Sequence, residues 1–287
     1  MAVYKRGYQR YTGVLTGRWT RFLVLPRYAW RRLYQQRLVV LLTMAAFIWP
    51  LLCAGFIYLT NHAELLQGLE PEFRAFIQVD GRFFAIFMYV QAGCAVFLAA
   101  MAGPGLVAPD LANNALPLYF SRPLTRWSYA LSRLTVIVGM LSVVTWIPGL
   151  LLFGLQVALA GGWWFVANWT LGAGIVTGFL LWLLVLSLVA MASSAYVKWR
   201  VVAGAVSLAF FFILAGIAAM IDEVFRVKWG HLLDPAWSVN RVWCTLLSIE
   251  PPNDGPGAFA SIVALATLIL LLVLVIERKL RPVEVVR

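Results

Sequence analysis

Charge is what this chain has least of. Only 12% of its 287 residues are Asp, Glu, Lys or Arg. A soluble globular domain carries about a quarter, so that class is excluded. Histidine occurs twice, at His62 and His231, and cysteine three times, at Cys53, Cys94 and Cys244. No CxxC and no Cys/His cluster exists, which removes a zinc site and a disulfide framework from consideration. There is no GxxxxGK[ST] phosphate loop and no GxSxG elbow, so neither ATP binding of that kind nor that hydrolase chemistry belongs to this chain. The apolar runs are nearly free of ionisable groups, and Gln91 and Gln156 are the only sizeable polar residues inside them. Ion-coupled carriers and charged-ring channels place acidic or basic groups at membrane depth. Their scarcity argues against both.

Hydrophobic residues make up 62% of the chain, and several runs reach the roughly 20 residues that cross a bilayer as a helix. The pattern predicts an all-α polytopic membrane protein with six spans, near 38–59, 83–102, 134–160, 170–192, 201–221 and 258–276. The third is long enough to tilt or to kink at Pro148. Residues 1–37 form an N-terminal segment, 38–276 the membrane domain and 277–287 a tail. The first segment is too long and too basic for a signal peptide's leading region, which points to an uncleaved first span. Residues 1–37 hold nine Lys or Arg and no acid, whereas 60–82 hold two basic and four acidic residues. The bias alternates along the chain, leaving 18 basic residues on one side and five on the other. By the positive-inside rule both termini and the second and fourth loops are cytoplasmic. The net charge of +11 therefore reads as orientation and attraction to anionic lipid, not as nucleic-acid binding.

Within the N-terminal segment, Ala29, Trp30, Leu33 and Tyr34 share a stripe at helical spacing, flanked by Arg27, Arg31, Arg32 and Arg37. Pro26 suits a first helical turn. The stripe reads as a helix lying in the membrane interface, and the arginines alone also serve to fix topology. The largest outer loop, 222–257, carries Trp229, Trp237 and Trp243. A short amphipathic helix at 236–248 fits its pattern, with the tryptophans read as an interfacial belt in preference to a gate. GAGIVTG at 172–178 lies inside an apolar run, so Gly174 and Gly178 read as a small-xxx-small pair for close helix approach. Asn168–Thr170 matches a glycosylation sequon at the membrane edge. The acids of DEVFR at 222–226 have no histidine at metal-ligand spacing and read as a solvated loop end.

The polar stretch APDLANNALPLYFSRPLTRW, residues 108–127, separates the second and third spans. Asp110 can cap a helix start. Leu111, Ala115 and Leu118 fall on one narrow stripe. Pro117 kinks or breaks that helix, and Ser121-Arg122-Pro123 ends it. The element has no active-site groups. It suits being gripped by another protein, or serves only as a capped loop between spans.

This region resembles the ABC-2 type permeases of ATP-binding cassette transporters. That family carries E-x-x-x-G-T-L-x-x-L-L-S-x-P-[VIL]-[ST]-R after its second span. Here Asp110 takes the acidic position. Leu116, Leu118 and Phe120 follow the apolar pattern, Ser121, Pro123, Leu124, Thr125 and Arg126 match the end, and Arg133 takes the basic position before span three. Asn114 and Ala115 replace the Gly-Thr, and Pro117 departs from the pattern. The resemblance implies a coupling loop over 103–133, with Asp110, Leu111, Asn114, Leu118, Ser121, Arg122, Pro123 and Arg126 at the contact with a separate ATPase subunit. It implies that Trp30, Arg31, Leu33 and Tyr34 belong to an interfacial helix bordering that contact. It implies a second permease subunit, identical or paralogous, and ATP and magnesium held by the partner ATPase, with no cofactor on this chain. Spans two and five line the path in such permeases, which makes Phe87, Tyr89, Gln91, Phe211 and Phe212 path candidates. A bacterial-type cytoplasmic membrane and an exporting, non-catalytic subunit follow from the same resemblance. The rival reading is a structural membrane subunit of a larger complex. An intramembrane enzyme is the weakest reading, lacking a nucleophile–base pair or metal ligands at membrane depth.

Overall fold

The computed structural model describes residues 18–62, 78–113, 126–197, 199–251 and 255–279. The described residues are helical almost throughout. They form α1 (Arg18–Tyr34), α2 (Arg37–Ala46), α3 (Ile48–Asn61), α4 (Gly81–Ala102), α5 (Pro104–Ala112), α6 (Arg126–Val144), α7 (Trp146–Ala160), α8 (Gly162–Tyr196), α9 (Arg200–Phe225), α10 (Pro235–Leu246) and α11 (Ala258–Lys279). Among the described residues six stretches are long and apolar enough to cross a membrane: Arg37–Asn61, Gly81–Asp110, Trp127–Ala160, Gly162–Tyr196, Arg200–Phe225 and Ala258–Lys279. In hydrocarbon each backbone polar group must find its partner within the segment, which leaves the helix as the local solution.

Three spans are broken, each just ahead of a proline. The first divides at Phe47, ahead of Pro50, the second at Gly103, ahead of Pro104, and the third at Thr145, ahead of Pro148. A proline has no N–H, and its ring crowds the carbonyl four residues back. The kink anticipated at Pro148 therefore falls three residues earlier. The third span also starts at 127 and not near 134, and the fourth starts at 162 and not near 170. The loop between them shrinks to Gly161, whose φ of 90° favours a residue without Cβ. Asn168 of the sequon is consequently helical, and its side-chain amide donates to the Trp164 carbonyl at 3.0 Å.

α8 is the axis of the bundle. At 35 residues it is about 52 Å long, well beyond a hydrocarbon core of about 30 Å. In its most apolar window 72% of residues are buried, against 22% in the first, fifth and sixth spans. It packs on α4, α5, α6, α7, α9, α10 and α11. Its glycines allow this. A Cβ on Gly178 would lie 2.7 Å from the Trp243 ring, and one on Gly174 would lie 3.1 Å from the Leu246 carbonyl oxygen. The small-xxx-small pair thus admits another helix, α10, and at Gly178 also Met88 of the second span, 2.9 Å from such a Cβ. Trp243 is buried there, outside any belt, and Trp237 stacks on His231 with centroids 5.0 Å apart. Of the three loop tryptophans only Trp229 is exposed.

α1 begins at Arg18, so Pro26 lies inside the helix and not in its first turn. Ala29 and Leu33 are buried, and Trp30 Nε1 donates to the Val136 carbonyl at 2.9 Å. Gly139 makes room for the indole: a Cβ there would lie 2.4 Å from Trp30 Cζ2. Three residues of the predicted stripe thus seat α1 on α6, while Tyr34 and Arg31 stay exposed.

Candidate functional site

Two regions gather the residues singled out by sequence. The first is the end of the bundle that carries α1. The second span continues through Gly103 into α5, which packs against α8. Gly103 has to be small, because a Cβ would meet that of Ala190 at 2.5 Å. The Ser194 hydroxyl accepts from the Ala108 N–H at 2.8 Å and donates to the Pro104 carbonyl at 3.2 Å. It therefore engages both ends of one i→i−4 link, an insertion of the kind that bends helices.

Asp110 lies near the end of α5, not at a helix start, so it is not the N-cap the sequence suggested. Its carboxylate instead accepts from the Tyr129 hydroxyl at 2.7 Å and pairs with the Arg133 guanidinium. Tyr129 is fully buried and Arg133 nearly so. A charged pair is tolerated in such a place because each charge neutralises the other and the phenol adds a charge-assisted bond. The acid that ends the second span and a base in the second turn of the third are thereby joined, and the connection between the spans is tied at its base. A polar recess of about 170 Å³ adjoins this node, lined by Arg32, Leu33, Gln36, Gly105, Asp110 and Arg133. Arg200, at the start of α9, donates to the Gln36 side chain and to the Met101 carbonyl. α1, α5 and α6 thus meet at the recess beside the ion pair, and α9 is joined to its rim through Gln36. Asn114, Leu118, Ser121, Arg122 and Pro123 lie outside the described residues. Leu111 and Arg126 fall in the flanking helices α5 and α6.

The second region is a cavity of about 270 Å³ between α4, α8, α9 and α10. Its wall includes Tyr89, Phe97, Trp182, Phe211, Phe212 and Trp243. Gly93 keeps the α4 side open, with nothing within 4 Å of a Cβ placed there. Asn240 adds a carboxamide from α10. Tyr89, Phe211 and Phe212 of the sequence-derived path residues are brought together here. Phe87 and Gln91 are not: both are fully buried on other faces of α4. Phe87 meets Phe179 edge to face at 6.2 Å, and Gln91 turns toward the broken first and third spans.

The contribution of α10 was missed by sequence reasoning, although its amphipathic pattern marked a helix. Asp234 caps it, accepting from the Ala236 N–H at 2.9 Å, and burial pushes that carboxyl above the usual carboxylate range. Among the described residues no group of three or more His, Cys, Asp or Glu could hold a metal ion. An apolar, aromatic wall with a phenol and an amide suits binding of apolar or amphiphilic molecules. No family model matches the chain, and neither does any curated protein.

Proposed function

We propose that this chain is the transmembrane permease subunit of an ATP-binding cassette transporter of the ABC-2 type. It makes no chemical energy itself. A separate ATPase subunit, holding ATP and magnesium, presses on the segment between the second and third spans, and a second permease subunit completes the path. In this reading α1 lies at the cytoplasmic membrane surface, both termini are inside, and the complex exports from a bacterial-type cytoplasmic membrane. The observation that carries the reading is the Asp110–Tyr129–Arg133 node. Force delivered to the end of the second span or the start of the third is shared between both through that buried tie. The apolar cavity between the second and fifth spans fits an amphiphilic cargo.

The test is reconstitution with the ATPase that co-purifies with the chain. Arg122→Glu or Arg126→Glu leaves the bundle folded and ATP hydrolysis running, and lowers transport per ATP by about tenfold or more, as loss of about 1.4 kcal/mol of coupling would. Unchanged coupled transport in both variants, or isolation of the chain only in a stable assembly free of ATPase, sinks the proposal and favours a structural membrane subunit.

A further inference from the structure

Gln91 is a full carboxamide buried in the middle of an apolar span, away from the cavity. Its Nε2 donates to the Ala46 carbonyl at 3.0 Å and also to the Val144 carbonyl. Each acceptor sits four residues before a proline, Pro50 and Pro148. In an intact helix those carbonyls would accept from the N–H of residues 50 and 148, which proline lacks. The two hydrogens of one amide thus replace the two backbone donors that two prolines removed. The orientation is forced, because an amide turned the other way would set its oxygen against both carbonyls.

The surroundings are built for this. Beyond the breaks, α3 and α7 pack on each other, and Asn61 Nδ2 donates to Gln156 Oε1 at 2.8 Å between them. Gly149, next to Pro148, lets the third span close on the second: a Cβ there would lie 3.0 Å from Phe87 Cε1. Gln91 Oε1, Trp49 Nε1 and Trp146 Nε1 also lie buried near the two breaks with no hydrogen bond to the protein.

We propose that Gln91 is the common pivot of the first and third spans, holding both proline breaks to the second span through the carbonyls of Ala46 and Val144. This does not depend on the transporter reading. The full chain in detergent tests it by thermal unfolding. Gln91→Met keeps the volume and removes both donors, and it lowers Tm by about 5 °C or more. In a Pro50→Ala, Pro148→Ala background the restored backbone N–H groups make the amide redundant, and the same change shifts Tm by less than about 2 °C. An equal drop in both backgrounds means that Gln91 acts by packing alone and overturns the proposal. A second measurement covers poor folding of the methionine variant. Spin labels are placed at Leu52→Cys and Leu151→Cys, both lipid-facing by exposure, with Cys53, Cys94 and Cys244 changed to Ala. The interlabel distance distribution broadens when Gln91→Asn, one methylene shorter, is added. A distribution as narrow as the parent's overturns the proposal.

Discussion

At the scale of single residues, the end carrying α1 holds an ion pair between buried Arg133 and mostly buried Asp110. Removing one member of a buried pair leaves the other uncompensated, which costs about 3 kcal/mol or more. Arg133→Ala and Asp110→Asn are each expected to lower unfolding stability by about that amount, read from denaturant or thermal melts in detergent. Because Tyr129 also donates to Asp110 at 2.7 Å, Tyr129→Phe should cost only about 1 kcal/mol. If Arg133→Ala proves neutral, the pair is not a tie. Both partners were visible in the sequence as an acid and a base flanking the polar stretch. Their meeting was not, because 23 residues separate them and only the return of the third span beside the second brings them into contact.

At the scale of elements, helix spacing is set by small residues at specific contacts. A Cβ on Gly204 of α9 would lie 2.6 Å from the Ala100 carbonyl oxygen of α4, whereas one on Gly216 meets nothing within 4 Å. Gly204→Ala must push backbone against backbone and should destabilise by about 1–3 kcal/mol. Gly216→Ala, on the same helix, should be neutral or stabilising by up to about 1 kcal/mol. Thermal melts of the two variants check this, and equal effects would contradict the packing. The six spans were legible because each is a long apolar run. Their breaks were only partly legible: Pro148 marked the third span as one that would yield, whereas the breaks ahead of Pro50 and Pro104 were not read. The start of the fourth span was hidden, since GWWFVANW at 162–169 reads equally as loop or helix until Gly161 supplies the turn.

At the scale of the whole molecule, the described segments sort into two ends. One end holds α1, α5, the junction near Arg200 and the close of α11, where Lys279 sits 5.3 Å above the Tyr196 ring. The other holds Gly81 against the Leu247 carbonyl, and Arg241 donating to Gly255 at 3.2 Å. The basic excess of the sequence collects at the first end, and the proposed orientation, resting on the positive-inside rule, has that end inside. A membrane-impermeant maleimide added to intact cells should therefore label Val227→Cys and not Gln35→Cys, with both labelled after lysis. Labelling of Gln35→Cys in intact cells would reverse the orientation and remove the coupling reading with it.

The sequence by itself determined the solvent this chain folds in, the number of its spans and the sign of charge at each end. Those properties follow from composition and local period, which need no knowledge of neighbours. Tertiary structure alone decided that Asp110 meets Arg133, that α10 enters the bundle to wall a cavity, and that Gln91 serves two prolines on different spans. Each of those depends on which helix lies beside which, and in a bilayer, where every apolar face is equally content with lipid, side-chain fit and hydrogen-bond need select the neighbour.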